Sequence, residues 1–322
     1  MIKNTFLFAM LFALSFAFVG CSDDTEDTDP QPLPTTSNTI VDIAGGADFT
    51  TLAAALERVD LIATLQGDGP FTVFAPTNAA FDALLLELGI DGLDKVSDAQ
   101  LTQILLNHVV SGKVLSTDLE TGYVSTLADG AQQTKVSLYI DLTAGVKLNN
   151  RATVATPDVL ADNGVVHVID NVLLVPNVVD AAVANPNFSI LVAALTDERL
   201  ADVDFVNILS GDGPFTVFAP TNAAFEALLA SNEEWNGLAD VPAATLEAVL
   251  KYHVIAGDNI TSSELTDGAQ PVTFEGSTIT INTTDGVVIT DKGGRTSKVI
   301  LADVQTSNGV IHAIQNVILP LD

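Results

Sequence analysis

The chain has 322 residues, with 12 Lys and Arg against 41 Asp and Glu, giving a formal net charge of −29 and an isoelectric point near 4.1. That acidity excludes phosphate-backbone recognition, which needs clustered Lys and Arg, and one Cys excludes an intrachain disulfide framework or a Cys-rich zinc site. At 48% hydrophobic residues the chain is too apolar for wholesale disorder, and its length suits two domains that each bury a core.

Residues 1–20 place Lys3 ahead of an apolar run from Thr5 to Val19, followed by Gly20 and Cys21. The run is too short and wrongly flanked for a membrane span. Ending in Val19-Gly20-Cys21, it resembles a bacterial lipoprotein signal, with Phe18 where that family more often has Leu. The resemblance implies cleavage before Cys21 and acylation of its sulfur and freed amine, which meets the two-chain requirement for stable anchoring. The alternatives are an ordinary secretory signal with an incidental cysteine, or a free thiol, which nothing basic nearby would activate.

Residues 21–37 carry five acids, no base, and Pro30, Pro32 and Pro34. Such a stretch cannot pack and reads as an extended, solvated tether. An acidic run behind a lipidated cysteine also resembles the surface-export signals of some Gram-negative lipoproteins, while a plain spacer is the simpler reading. The run lacks the Gly and terminal Glu of an EF-hand loop.

Beyond the tether the sequence repeats. Gly67-Asp68-Gly69-Pro70-Phe71-Thr72-Val73-Phe74-Ala75-Pro76-Thr77-Asn78-Ala79-Ala80-Phe81 recurs letter for letter from Gly211 to Phe225. Leu106-Asn107-His108-Val109-Val110 returns as Lys251-Tyr252-His253-Val254-Ile255, and Asn163-Gly164-Val165-Val166-His167 as Asn308-Gly309-Val310-Ile311-His312. Copies this long, in identical order, indicate two homologous domains rather than a solenoid. The boundaries fall at 38–176 and 177–322, and the near absence of a linker predicts that the domains pack together.

Within each copy the elements follow in one order. Phe49 to Arg58 and Phe188 to Leu195 have helical, Ala- and Leu-rich patterns. Phe71-Thr72-Val73-Phe74 and its copy Phe215 to Phe218 read as short strands between Gly-Pro and Ala-Pro, with Pro76 and Pro220 as terminators. Thr77 and Thr221 stand where helix N-caps belong. Ser97 opens a helix with Leu101, Ile104, Leu105 and His108 on one face, matched by Leu246, Val249, Leu250 and His253. Strand-rich runs follow, including Lys135 to Leu142 and Val272 to Ile281, divided by turns at Asn163-Gly164, Asp285-Gly286 and Asn308-Gly309. Helices first and strands later in each unit predict an α+β fold.

The Phe-Thr-Val-Phe-Ala-Pro-Thr-Asn-Ala-Ala-Phe segment, the Tyr/Asn-His block and the closing Asn-Gly-Val-x-His strand together resemble a fasciclin (FAS1) domain, twice, over about residues 38–322. The resemblance implies two β-sandwich-like wedges of strands with helices packed against them. It also implies extracellular or surface modules for cell adhesion and matrix contact, generally without enzymatic activity.

The four histidines, His108, His167, His253 and His312, all lie inside the repeated motifs on apolar faces, which predicts hydrogen-bonded core residues tying helix to strand. No His-x-x-x-His or third ligand points to a metal, and no Gly-x-Ser-x-Gly or Cys/His arrangement points to a nucleophile. The Gly-Asp-Gly-Pro turns lack the lysine and spacing of a phosphate loop. Two places are candidate contacts. Tyr252-His253 matches a Tyr-His motif linked to integrin recognition in animal fasciclin-domain proteins, the alternative being a Tyr that caps the core beside a core His; the first copy has Asn107-His108 instead. Trp235, the only Trp, follows Asn232-Glu233-Glu234 in an apparent loop, where it is either an exposed contact or packed against the preceding helix.

The expectation is therefore a non-enzymatic adhesion or matrix module, held to the bacterial outer membrane through lipid on Cys21 and facing the cell surface. Its ligand would be a protein or glycan, with no nucleic acid and no cofactor. A periplasmic-facing, envelope-organising lipoprotein is the alternative, and a hydrolase with an unrecognised carboxylate pair is a third reading. The two domains carry 17 acids against six bases and 19 against five, so the acidity is spread over both.

Overall fold

The duplicated Phe-Thr-Val-Phe-Ala-Pro segment forms the same strand in both copies. In the computed structural model, residues 38–320 are described, and they belong to a single compact unit. The signal (1–20), Cys21 and the tether (21–37) lie outside the described residues. Strand β1 covers Phe71–Pro76, two residues more than its apolar core predicts, and Pro76 is its last residue, where the ladder needs no further donor. The other strands of the first copy are β2 (Val109–Ser111), β3 (Gly122–Asp129), β4 (Lys135–Asp141), β5 (Lys147–Leu148), β6 (Ala152–Ala161) and β7 (Gly164–Ile169). They close into a barrel in sequence order, sealed by the parallel β1–β7 pair with Phe71 opposite Gly164.

The second copy contributes β8 (Phe215–Pro220), β9 (Val254–Ala256), β10 (Thr280–Asn282), β11 (Val288–Thr290), β12 (Thr296–Thr306) and β13 (Gly309–Ile314). They form a six-stranded sheet in the order β10-β11-β12-β13-β8-β9, with β8 and β13 parallel as in the first copy. The run Val272 to Ile281 is not the continuous strand its residues predict. The Thr273 amide bonds back to the Ser277 carbonyl at 2.9 Å and Gly276 adopts φ 108°, so the chain reverses there and regular pairing begins only at Thr280.

Helices cover one side of each set of strands. Asn78–Leu88 starts at Thr77, whose hydroxyl accepts from the Ala80 amide, and Asn222–Ala230 starts identically at Thr221 and Ala224. Ser97 caps Asp98–Leu106; its counterpart is Ala243–Tyr252. Alternation along β1 divides the core. Val73 and Ala75 face a cluster with Leu52, Leu56, Phe81, Leu84, Leu101 and Leu105, whereas Phe74 faces the barrel interior with Leu138, Ile140, Leu148 and Ile169. The second copy repeats this division around Val217 and Phe218. Each fully buried Phe or Leu stabilises the fold by about 2–3 kcal/mol.

The copies meet directly. Asn177, one residue past the first copy's Pro176, caps the second copy's helix Val178–Ala184. The Ser137 hydroxyl accepts from the Gln305 amide at 3.0 Å, the Thr134 hydroxyl donates to the Gln305 side-chain carbonyl at 2.8 Å, and the Ser307 amide donates to Pro176 at 2.8 Å. Tyr123 packs against the second copy's core, its hydroxyl accepting from Asn185 at 3.1 Å, and burial pushes that phenol up to about 12.

Candidate functional site

The four histidines are buried and each joins two segments through both ring nitrogens. His108 follows the helix Asp98–Leu106; its Nδ1 donates to the Ile104 carbonyl at 2.7 Å and its Nε2 accepts from the Leu173 amide at 2.9 Å. His253 does the same between Val249 and Ile318, at 2.7 and 3.1 Å. These partners fix the neutral Nδ1–H tautomer, because each Nε2 faces a donor. Burial lowers both imidazoles to about 4. His167 and His312 lie in β7 and β13, stacked on Phe74 and Phe218 with centroids 5.5 and 5.6 Å apart. Their Nε2 groups donate to Val114 and Ile260, and their Nδ1 atoms accept from the Asp158 and Asp303 amides at 3.2 and 3.3 Å. Burial holds His312 below its ordinary value.

Sequence reasoning missed the residues around these two. Asp158 and Asp303 sit at irregularities in β6 and β12 with φ 61° and 63°, in the left-handed region. There the Asp158 carboxylate accepts from both the amide and the hydroxyl of Ser116, and Asp303 from both groups of Ser262. The Ser116 hydroxyl and amide hold Asp158 below the usual carboxylate range. Serine, aspartate and histidine thus meet in each copy, but in the wrong roles for nucleophilic catalysis. The hydroxyl donates to the carboxylate, and both imidazole nitrogens are bound to backbone, leaving no base to take the serine's proton. The available signal was an Asp-Val pair nine residues ahead of each strand histidine, Asp158-Val159 and Asp303-Val304.

Both candidate contacts fall on the packing alternative. Tyr252 has no exposed surface; its hydroxyl donates to the Thr278 carbonyl at 2.9 Å and accepts from the Lys292 amide at 3.1 Å. With His253 also buried, the Tyr-His pair offers nothing to a ligand, because the helix end that carries it points into the strands. Trp235 is not an exposed platform either. Its amide bonds to the Asn232 carbonyl at 3.0 Å, folding the loop back, and its half-buried indole packs on the second copy's core. Among the described residues, no three His, Cys, Asp or Glu side chains gather as metal ligands, and no single helix is long and apolar enough to cross a membrane.

Fold and side chains define a class first: a tandem pair of α+β modules whose histidines and Ser–Asp pairs are bonded within their own framework. The chain belongs to the fasciclin domain family, whose profile matches residues 47–176 and again 186–320. Human periostin is 35% identical over 260 residues, 80% of this chain but 29% of periostin. Protein sll1483 of Synechocystis is 45% identical over 139 residues, 43% of this chain and 74% of that protein. Pig transforming growth factor-beta-induced protein ig-h3 is 29% identical over 293 residues, 89% of this chain and 38% of its own length. The chain therefore spans well under half of periostin and of ig-h3. A solved FAS1 domain pair from the insect cell adhesion molecule fasciclin I aligns over 88% of this chain and 95% of that one, at 20% identity and a TM-score of 0.45.

Proposed function

We propose that the chain is a non-enzymatic adhesion or matrix-contact module, displayed at a bacterial surface and anchored through lipid on Cys21. The observation that carries this reading is the duplicated fasciclin framework, in which all four histidines and both Ser–Asp pairs are bonded internally. A protein with such a framework acts through its surfaces, and the direct contacts between copies present those surfaces as one body. The lipoprotein-like ending at Cys21 and the acidic tether support attachment by lipid with the acidic body held off an anionic bilayer. The ligand is a surface or matrix protein or glycan.

Three measurements test this reading. Palmitate should label the wild type and not Cys21→Ala, which should leave the membrane fraction. Protease applied to intact cells should remove the domains; a protected protein would instead support the periplasmic, envelope-organising role. Beads coated with the mature chain should adhere to cells or matrix, and absence of adhesion on every such substrate would remove the adhesion reading.

A further inference from the structure

The duplication contains an internal comparison at one groove. In the second copy, Trp235, Val241, Thr245, Val249 and Leu319 line a cavity of about 80 Å3 on which the indole sits. The equivalent first-copy residues, Ile90, Val96, Gln100, Ile104 and Leu174, line an open groove of about 700 Å3. The matched Gly92-Leu93 and Gly237-Leu238 put Ile90 where the second copy has Trp235, while Leu88, last in the helix whose Phe81 matches Phe225, stands where the second copy has Asn232. An isoleucine cannot cover what the indole covers, and Leu88 is left 45% exposed at the rim.

The groove's volume lies within the roughly 300–1,000 Å3 range of ligand sites, and its lining is mostly apolar, with Lys95, Gln103 and Asp129 among its polar members. It is continuous with the interface between the copies. Val175 and Ser307 line it, and the Ser307 amide donates to Pro176 across the domain junction. A ligand seated there would touch both copies and be read only by the assembled pair.

We propose, resting on the adhesion reading above, that this groove receives an aromatic side chain of a protein ligand, in the position that Trp235 occupies in the second copy. The occupant's chemistry follows from the duplicate: the same framework positions accept an indole when the chain supplies one. Gln100 at the groove wall offers an amide for the ligand's backbone beside the aromatic ring. Interfaces of this kind concentrate their binding energy in one buried aromatic anchor.

The test uses the full mature chain and N-acetyl-L-tryptophanamide, which carries the indole between two peptide groups. Methyl NMR should show saturable shifts at Val96 and Ile104 and weaker ones with N-acetyl-L-leucinamide. Ile90→Trp imports the second copy's own residue and Leu88→Glu puts a charge on the groove's rim; each should weaken binding roughly tenfold or more with an unchanged melting temperature. Leu88 is exposed, so its variant reports even if Ile90→Trp perturbs the fold. Missing saturable shifts at the groove, or equal shifts in Leu88→Glu, would overturn the proposal. Self-association of the wild type that Leu88→Glu abolishes would put a second copy of this chain in the groove and also overturn it. Bead adhesion separates this inference from the reading beneath it. If wild-type beads adhere and Leu88→Glu beads adhere equally, only the groove inference fails; if wild-type beads adhere nowhere, the adhesion reading fails while the methyl shifts still report on the groove.

Discussion

Lowering the pH from about 7 to about 5 should cost the fold about 4 kcal/mol through His108 and His253 alone. Each imidazole accepts a backbone amide at Nε2, so protonation sets two donors face to face in a buried site. Their folded values are about 4 against an ordinary 6.5, so the unfolded chain takes up protons first as the pH falls. The neutral histidines' contribution is complete above the unfolded value, about pH 6.5, and is lost progressively as pH falls through about 4. The full loss is about 3 kcal/mol per histidine, of which about 2 kcal/mol has gone by about pH 5.

The 41 carboxylates pull the other way, since acidification towards the isoelectric point relieves their mutual repulsion. The informative quantity is therefore a difference. Urea unfolding, followed by circular dichroism at several pH values, should compare the wild type with His108→Gln/His253→Gln. Glutamine can donate and accept at the same two places without titrating. The wild type should lose about 4 kcal/mol more than the double variant over this interval, and each single variant should account for about half. Identical pH slopes in the wild type and the double variant would refute the assignment of these rings as neutral, amide-accepting core groups.

Other substitutions follow from the same geometry. Ser116→Ala and Ser262→Ala should each destabilise by about 1–3 kcal/mol in urea titrations, since Asp158 or Asp303 keeps only the amide partner. The stabilising part of the Ser116–Asp158 bond should disappear in acid as the depressed carboxyl of Asp158 is protonated. Gly164→Ala and Gly309→Ala would put a Cβ 2.0 and 2.2 Å from the Phe71 and Phe215 carbonyl oxygens, breaking the parallel pairs; a loss above about 3 kcal/mol, or failure to fold, is expected from expression and melting curves. Gly130→Ala would place its Cβ 2.3 Å from the Thr306 carbonyl oxygen in the opposite copy, and Tyr123→Ala removes the ring lodged there. Both should split one unfolding transition into two while leaving each domain folded, read by calorimetry.

What was legible in the sequence was mostly local. Thr77 and Thr221 cap helices because a hydroxyl three residues ahead of an amide is a short-range arrangement, and the repeated strand is bounded by its own prolines. The histidines were readable as core residues from their apolar faces. The Ser116–Asp158 bond was not, because it joins residues 42 apart and depends on a left-handed aspartate at a strand irregularity. Val272 to Ile281 has strand-like composition, yet Gly276 and the Thr273–Ser277 bond reverse the chain. Trp235 was open between an exposed contact and packing on the preceding helix, and it packs beside Leu228 and Leu229.

The exchange of Asn107 for Tyr252 swaps one set of buried hydrogen-bond partners for another. Asn107 donates to the Leu174 carbonyl at 3.0 Å and accepts from the Thr126 hydroxyl of β3 at 3.3 Å, the strand that helps close the first barrel. In the second copy the segment beside β9 is irregular: the Phe274 amide donates to the Val254 carbonyl at 2.6 Å, and the neighbouring Thr273 hydroxyl donates to the Ser277 carbonyl at 2.9 Å. The phenol fills the volume beside Phe218, Ile255 and Ile281, and its hydroxyl donates to the Thr278 carbonyl and accepts from the Lys292 amide. The tyrosine before the second histidine is thus held by its own buried partners, and the surface difference at Ile90 and Trp235 is the place where the copies diverge towards solvent.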